Sequence, residues 1–224
     1  MTQIHGVMLD IDGTLVDSND AHALAWVQSM SEQGYDVPFE KVRPLIGMGG
    51  DKVLPEMLGI AKDSDEGKRI SQRRKEIFMK SYLPHLKAFP QARELLQRMH
   101  DQGLKLVVAT SAEPDELNEL LNVIGPHVAG LFAQEETSKD VKQSKPDPDV
   151  VQKSLKRMSY TPGEVLMIGD TVYDIEAAGR TNVKTIAFRC GGWSDRDLTG
   201  AIAIYDGPAD LLAHYEQSSL TRGI

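Results

Sequence analysis

Short apolar runs closed by turn residues recur along this chain of 224 residues. They fall at about 4–9, 104–109, 165–168, 183–187 and 201–204, with a weaker one at 131–133. Unbroken runs of this length predict parallel strands covered on both faces. Between them the spacing turns helical, with suitable punctuation. Pro114 opens a segment toward Ile124, and Pro90 opens one ending near Gly103. Asp147 followed by Pro148 predicts an N-cap and a first helical residue for a helix to about Met158. Strands alternating with helices predict an α/β fold, a doubly wound Rossmann-like parallel sheet.

One block breaks the alternation. From about Asp17 to Phe89 the pattern offers only helices, over Ala21–Gly34 and over Asp63–Tyr82. It predicts a helical domain at 17–85 inserted into an α/β core of 1–16 and 86–224. The interval from Ser111 to Lys145 is too short for a second insertion of that size. The charged run from Lys68 to Glu76 reads as the solvated face of an inserted helix.

Composition narrows the classes. Hydrophobic residues at 41% and charged residues at 26% describe an ordinary globular protein. A net charge of −8 argues against nucleic acid or an anionic membrane as partner. No apolar run approaches the ~20 residues that span a bilayer. Met1 to Gly6 lacks a basic region followed by an apolar core, so no signal peptide is expected. Cys190 is the sole cysteine, which excludes an internal disulfide, and no Cys/His cluster has zinc spacing. A cytoplasmic location is expected, with Cys190 as a small buried or loop thiol.

The candidate chemistry starts at Asp10-Ile11-Asp12-Gly13-Thr14-Leu15, where the apolar run Val7-Met8-Leu9 ends. Residues two apart on a strand point the same way, so Asp10 and Asp12 can converge on one reacting group. That suits a nucleophile beside a proton donor, with a divalent cation holding the two charges together. An EF-hand loop is excluded, since its glycine stands sixth and here it stands fourth. Taken alone, Asp-x-Asp-Gly reads as an ordinary strand-to-turn exit. Three further stations change that reading. Thr110 ends the run Leu104 to Ala109, Lys145 sits in Ser144-Lys145-Pro146-Asp147-Pro148, and Gly169-Asp170 ends Val165 to Ile168, with Asp174 four residues on.

With these stations in this order, nearly the whole chain resembles the haloacid dehalogenase-like (HAD) hydrolase superfamily. The helical insertion after the first strand resembles its C1-capped branch, which includes phosphoglycolate phosphatases and β-phosphoglucomutases. The resemblance implies that Asp10 is a nucleophile forming an aspartyl-phosphate. It implies that Asp12 is the general acid toward the leaving alkoxide and then the base toward water. Thr110 and the backbone amides of Ser111 and Ala112 would bind phosphoryl oxygens. Lys145 would neutralise charge on the phosphoryl group and on Asp10. Asp170 would bind Mg²⁺ together with an Asp10 oxygen and the Asp12 main-chain carbonyl, and Asp174 would support that site through water or Lys145.

Position 12 separates members of the superfamily. Halide leaves without a proton, so Asp12 argues against a dehalogenase. Phosphonatases carry an early cap lysine, where Lys52 stands, but a small residue in place of Asp12. His22 and Trp26 lie one helical turn apart, as in sugar-phosphate mutases, and read equally as a substrate-facing pair or as packing at the cap hinge. The loop Ile46-Gly47-Met48-Gly49-Gly50-Asp51-Lys52 lacks the arginine that mutases place there, leaving Lys52 and Arg43 as substitutes. Its glycines allow close approach to a ligand, with Gly47 and Lys52 as candidate contacts. The resemblance therefore implies a Mg²⁺-dependent phosphatase of small phosphorylated metabolites, with a mutase or a phosphonatase as alternatives. A receiver-like module is disfavoured by the early position of Asp10, and a silent phosphometabolite-binding protein keeps no support from the residues. Monomer and dimer both stay open.

Overall fold

The computed structural model describes residues 2–136 and 143–224. Among these, six strands form one parallel sheet: β1 (Gly6–Leu9), β2 (Lys105–Ala109), β3 (Phe132–Glu136), β4 (Val165–Gly169), β5 (Lys184–Phe188) and β6 (Ala203–Tyr205). The spatial order is β3-β2-β1-β4-β5-β6, so the winding reverses beside β1. Each predicted run became a strand within a residue or two, and the weak run at 131–133 proved to be a strand of five residues.

The helices are α1 (Asn19–Ser31), α2 (Phe39–Val42), α3 (Gly50–Leu58), α4 (Asp65–Ile77), α5 (Ala92–Asp101), α6 (Pro114–Ile124), α7 (Asp149–Met158), α8 (Val172–Gly179), α9 (Pro208–Ala213) and α10 (Ser219–Arg222). Two layers cover the sheet, and the strand alternation decides which residue meets which layer. Val7, Leu9, Val108 and Ile168 join Leu95, Leu96 and Met99 of α5 and Leu117, Leu120 and Leu121 of α6. Met8, Val107 and Met167 pack instead on Val150 and Val151 of α7 and Ala177 and Ala178 of α8.

Between β1 and β2 the described chain forms no strand. This segment has an apolar cluster of its own, made of Ala23, Trp26, Met30, Val42, Ile46, Val53, Leu54 and Ile70. Helix α1 serves both sides, since its Ala21 and Ala25 pack into the core cluster beside the sheet. Two details depart from the sequence reading. Asp147 does not cap α7: its carboxylate pairs with Lys52 and Arg180, and the helix starts two residues later with Pro148 at the N-cap. The glycine loop is also shorter than its sequence suggests. Gly49 is the N-cap of α3, so Asp51 and Lys52 ride on a helical first turn.

Candidate active site

Strand register builds the site. Leu9 of β1 lies beside Val108 of β2 and Ile168 of β4, so all three strands end at the same level. The residues that follow, Asp10, Thr110 and Asp170, emerge together at the carboxyl edge of the sheet, next to the reversal in strand order.

Lys145 lies in the middle of this group at only 1% exposure. Its Nζ donates to Asp10 Oδ1 at 2.6 Å, to Asp174 Oδ1 at 2.7 Å and to the Ala109 carbonyl at 3.2 Å. Burial works against the ammonium, but the two carboxylates outweigh it and hold the lysine charged. Thr171 is the N-cap of α8 and forms a capping box with Asp174, whose Oδ2 accepts from the Thr171 hydroxyl and amide. Asp174 thus spends one oxygen on the helix and the other on Lys145.

Asp170 is fully buried, and its two oxygens accept from Thr14 Oγ1 at 2.8 Å and from Asn19 Nδ2 at 2.9 Å. Burial, reinforced by Asp174, pushes its carboxyl up to about 7. Burial likewise raises Asp10 well above the carboxylate range, against the opposing pull of Lys145. Oxygens of Asp10, Asp170 and Asp174 lie within 4.8 Å of one another. A single buried lysine does not balance so many carboxylates, which makes an all-oxygen setting suited to a hard divalent cation. Asn19 Oδ1 in the same network is buried and accepts no hydrogen bond among the described residues, as befits a further acceptor beside such a cation. Glycines make the room: a Cβ on Gly13 or Gly191 would collide with Asp170 Oδ2.

Asp12 points into a pocket lined also by Asp10, His22, Trp26, Gly47, Thr110, Ser111 and Ala112. His22 Nε2 lies 2.8 Å from Asp12 Oδ1, which also accepts from Ser18 Oγ at 2.5 Å. Burial opposes the Asp12 charge, but His22, Ser18 and Arg74 together hold the carboxyl below its usual range. The His22 ring stacks on Phe78 with centroids 4.0 Å apart. The hydroxyl of Thr110 accepts from the Ala112 amide at 3.1 Å, which leaves its own proton for a ligand.

Of the predicted residues, all but Lys52 gather here. Lys52 Nζ instead bonds Gln143 Oε1 at 2.6 Å and Asp147 Oδ2 at 2.7 Å, because the first turn of α3 directs it away from the pocket. Arg43 is also spoken for, by Asp20 and the Gly191 carbonyl. In exchange the pocket gains two residues that the pattern did not single out. Arg74, within the run read as a solvated face, lines the pocket and bonds both oxygens of Glu116 through Nη1 at 3.1 and 3.2 Å. Glu116 itself is buried on α6. The signal that could have found Arg74 is its place one turn before the apolar pair Ile77 and Phe78, on the face of α4 that turns inward.

Cys190 follows β5 and its thiol lies 3.4 Å from the Gly13 carbonyl. Burial pushes the thiol up to about 12, so it stays protonated at pH 8. Iodoacetamide is expected to label it about a thousandfold more slowly than a free cysteine at that pH. Labelling at the free-cysteine rate would show that this corner of the site opens.

The sheet with its reversal beside β1, and polar chemistry at the carboxyl ends of its strands, define an α/β enzyme. Residues 7–188 match the family model described as haloacid dehalogenase-like hydrolase, and the chain belongs to that family. A phosphoglycolate phosphatase from Vibrio parahaemolyticus is 30% identical over 80% of this chain and 81% of that protein. A pyrophosphatase PpaX from Bacillus velezensis is 28% identical over 82% of each. The crystal structure of a hydrolase from Pseudomonas syringae superposes with a TM-score of 0.88 at 27% identity, covering 97% of this chain and 99% of that one.

Proposed function

We propose that the protein is a Mg²⁺-dependent phosphatase of small phosphorylated metabolites that works through an aspartyl-phosphate on Asp10. The observation that carries this reading is one pocket presenting Asp10, Asp12 and Thr110 together, with Lys145 buried against Asp10. The phosphatase relatives support it. We further take residues 17–85 as a cap over a core of 1–16 and 86–224, supported by the separate apolar cluster of Ala23 to Ile70.

In the first half-reaction an Asp10 carboxylate oxygen attacks phosphorus, and the bond from phosphorus to the alcohol oxygen breaks. Asp12 gives that oxygen a proton. A dianionic phosphoryl group next to Asp12 counteracts the cations that favour its charged form, and His22 at 2.8 Å keeps the carboxyl oriented for the transfer. Asp12 then takes a proton from water as the water oxygen attacks phosphorus. The Asp10–phosphorus bond breaks and phosphate leaves. Thr110 and the amides of Ser111 and Ala112 position the phosphoryl oxygens, and Lys145 offsets the charge gathered on Asp10. Asp10, Asp170 and the Asp12 main-chain carbonyl would hold Mg²⁺, which supplies charge neutralisation to the transferring group. Asp174 positions Lys145.

Dehalogenase chemistry does not need Asp12. Lys52 is committed to Asp147, which removes support for phosphonatase chemistry, and the engagement of Lys52 and Arg43 leaves a mutase without its loop cation. The direct test is phosphate release from p-nitrophenyl phosphate and a panel of sugar, glycolyl and nucleotide phosphates, with Mg²⁺ and with EDTA. Metal-dependent turnover is expected. Its absence on every compound would overturn the reading.

Gly191 gives a test of the metal site. A Cβ there must displace Asp170, so Gly191→Ala is expected to weaken Mg²⁺ activation about 10–100-fold. It should also cost about 1–3 kcal/mol of stability. An unchanged Mg²⁺ titration of turnover would contradict the assignment of Asp170.

A further inference from the structure

Lys145 is delivered to Asp10 by the segment 143–147, and the first turn of α3 braces that segment at Gln143, Ser144 and Asp147. Gly49 N donates to Ser144 Oγ at 3.1 Å. The Ser144 hydroxyl donates in turn to Asp51 Oδ1 at 2.5 Å, and the Ser144 amide to Asp51 Oδ2 at 3.3 Å. Beside them Lys52 Nζ bonds Gln143 Oε1 and Asp147 Oδ2. Gly49 has no side chain to cap α3, and a hydroxyl 95 residues away takes its amide instead. An acid in a first helical turn ordinarily serves the helix dipole. Asp51 gives one oxygen to the hydroxyl and the other to the amide of a single residue, Ser144, which is buried.

Gly49 shows how close the fit is. Its backbone is extended, with φ −78° and ψ 166°, which any residue can adopt. A Cβ would nonetheless stand 2.6 Å from both Asp51 Oδ1 and Ser144 Oγ. Room for this contact, and not backbone freedom, is what glycine provides here. Placement matters because Lys145 follows Ser144 directly in the chain. Its Nζ already holds Asp10, Asp174 and the Ala109 carbonyl at 2.6–3.2 Å, so a shift of Ser144 pulls the ammonium off its partners. The neighbouring Lys52–Asp147 pair is 27% and 32% exposed and contributes less.

We propose that Asp51 is a positioning residue for the reaction: through Ser144 it fixes Lys145 against Asp10 and Asp174. The inference rests on the phosphatase reading of the site. Among the described residues, Asp51 and Ser144 stand outside the lining of the pocket over Asp10, so neither touches the reacting atoms. The helical segment between β1 and β2 thereby sets the placement of a charge at the edge of the sheet.

The test compares wild type with Asp51→Ala, Asp51→Asn, Ser144→Ala, the double variant Asp51→Ala/Ser144→Ala, and Lys52→Gln. Substrates are p-nitrophenyl phosphate, acetyl phosphate and the best ester of the panel. Asp51→Ala is expected to lower kcat/KM about 10–100-fold, by the same factor for every leaving group, while the melting temperature falls by only a few degrees. Asp51→Asn, which still accepts from the Ser144 hydroxyl, should recover part of the loss. The double variant should lose no more than Asp51→Ala alone. Lys52→Gln should change kcat/KM by less than about twofold. Wild-type activity in Asp51→Ala, a loss confined to the bulkier esters, or additive losses in the double variant would overturn the proposal. So would an equal loss in Lys52→Gln, or unfolding of both Asp51 variants at the assay temperature. A cycle in denaturant keeps the two readings apart. If Asp51 acts through Lys145, the stability lost in Asp51→Ala shrinks in a Lys145→Met or Lys145→Gln background. Where wild type hydrolyses no ester, the phosphatase reading fails, and that shrinkage still upholds the brace while an undiminished loss removes it. Where Asp51→Ala hydrolyses the esters as well as wild type does, the phosphatase stands and the brace falls.

Discussion

Asp10→Asn is expected to lower phosphate release by about 10⁴-fold or more, with a folded protein of at least wild-type stability at pH 8. The side chain keeps its shape and loses its nucleophilic charge. Stability follows from the sign of the Asp10 shift. Burial raises this carboxyl in the folded state, so its ionisation costs stability as pH climbs past the unfolded value near 4. A neutral amide removes that cost, while Lys145 keeps Asp174 as partner at 2.7 Å. Turnover and thermal unfolding measured on the same preparation check both halves. Retained turnover would remove Asp10 from the chemistry. Lost turnover with a large drop in melting temperature would reduce the effect to misfolding.

Lys145→Met carries the second large effect, in the opposite pattern. Methionine fills similar volume but leaves Asp10 and Asp174 facing each other in the interior without their shared cation. Removing one partner of a buried ionic group costs about 3–5 kcal/mol, much more than a surface pair does. The variant is therefore expected to lose both activity and stability. A partial rescue of stability is expected from the further change Asp174→Asn, which removes one of the stranded charges. Chemical denaturation of the single and double variants measures this. Additive losses would show that the two side chains do not act as a unit.

The sequence made much of this site legible because its parts sit at strand ends. Asp10, Thr110 and Asp170 each close an apolar run, and a parallel register carries such positions to one edge without further information. The charged segment of α4 was harder to read. Only Gly67, Ile70 and Ile77 of the helix are buried, so apolar spacing marks the inward face but does not show that Arg74 beside it reaches Glu116 and the pocket. Lys52 failed for a related reason. The three glycines before it suggested a loop, but Gly49 caps a helix whose first turn delivers the lysine to Asp147. Asp147 in turn looked like a helix cap and proved to be a bridge to Lys52 and Arg180, a choice that depends on two distant cations. Contacts across long separations decided these cases, and local pattern does not encode them.

The most direct test of the central claim is chemical capture of the intermediate. The protein is mixed with a turned-over phosphate ester and Mg²⁺, quenched, and treated with borohydride, which reduces an acyl phosphate to the alcohol. Peptide mass spectrometry then locates the change. The account predicts homoserine at position 10, dependent on substrate and missing in Asp10→Asn. Turnover with an unmodified Asp10, or reduction at another carboxylate, would contradict it.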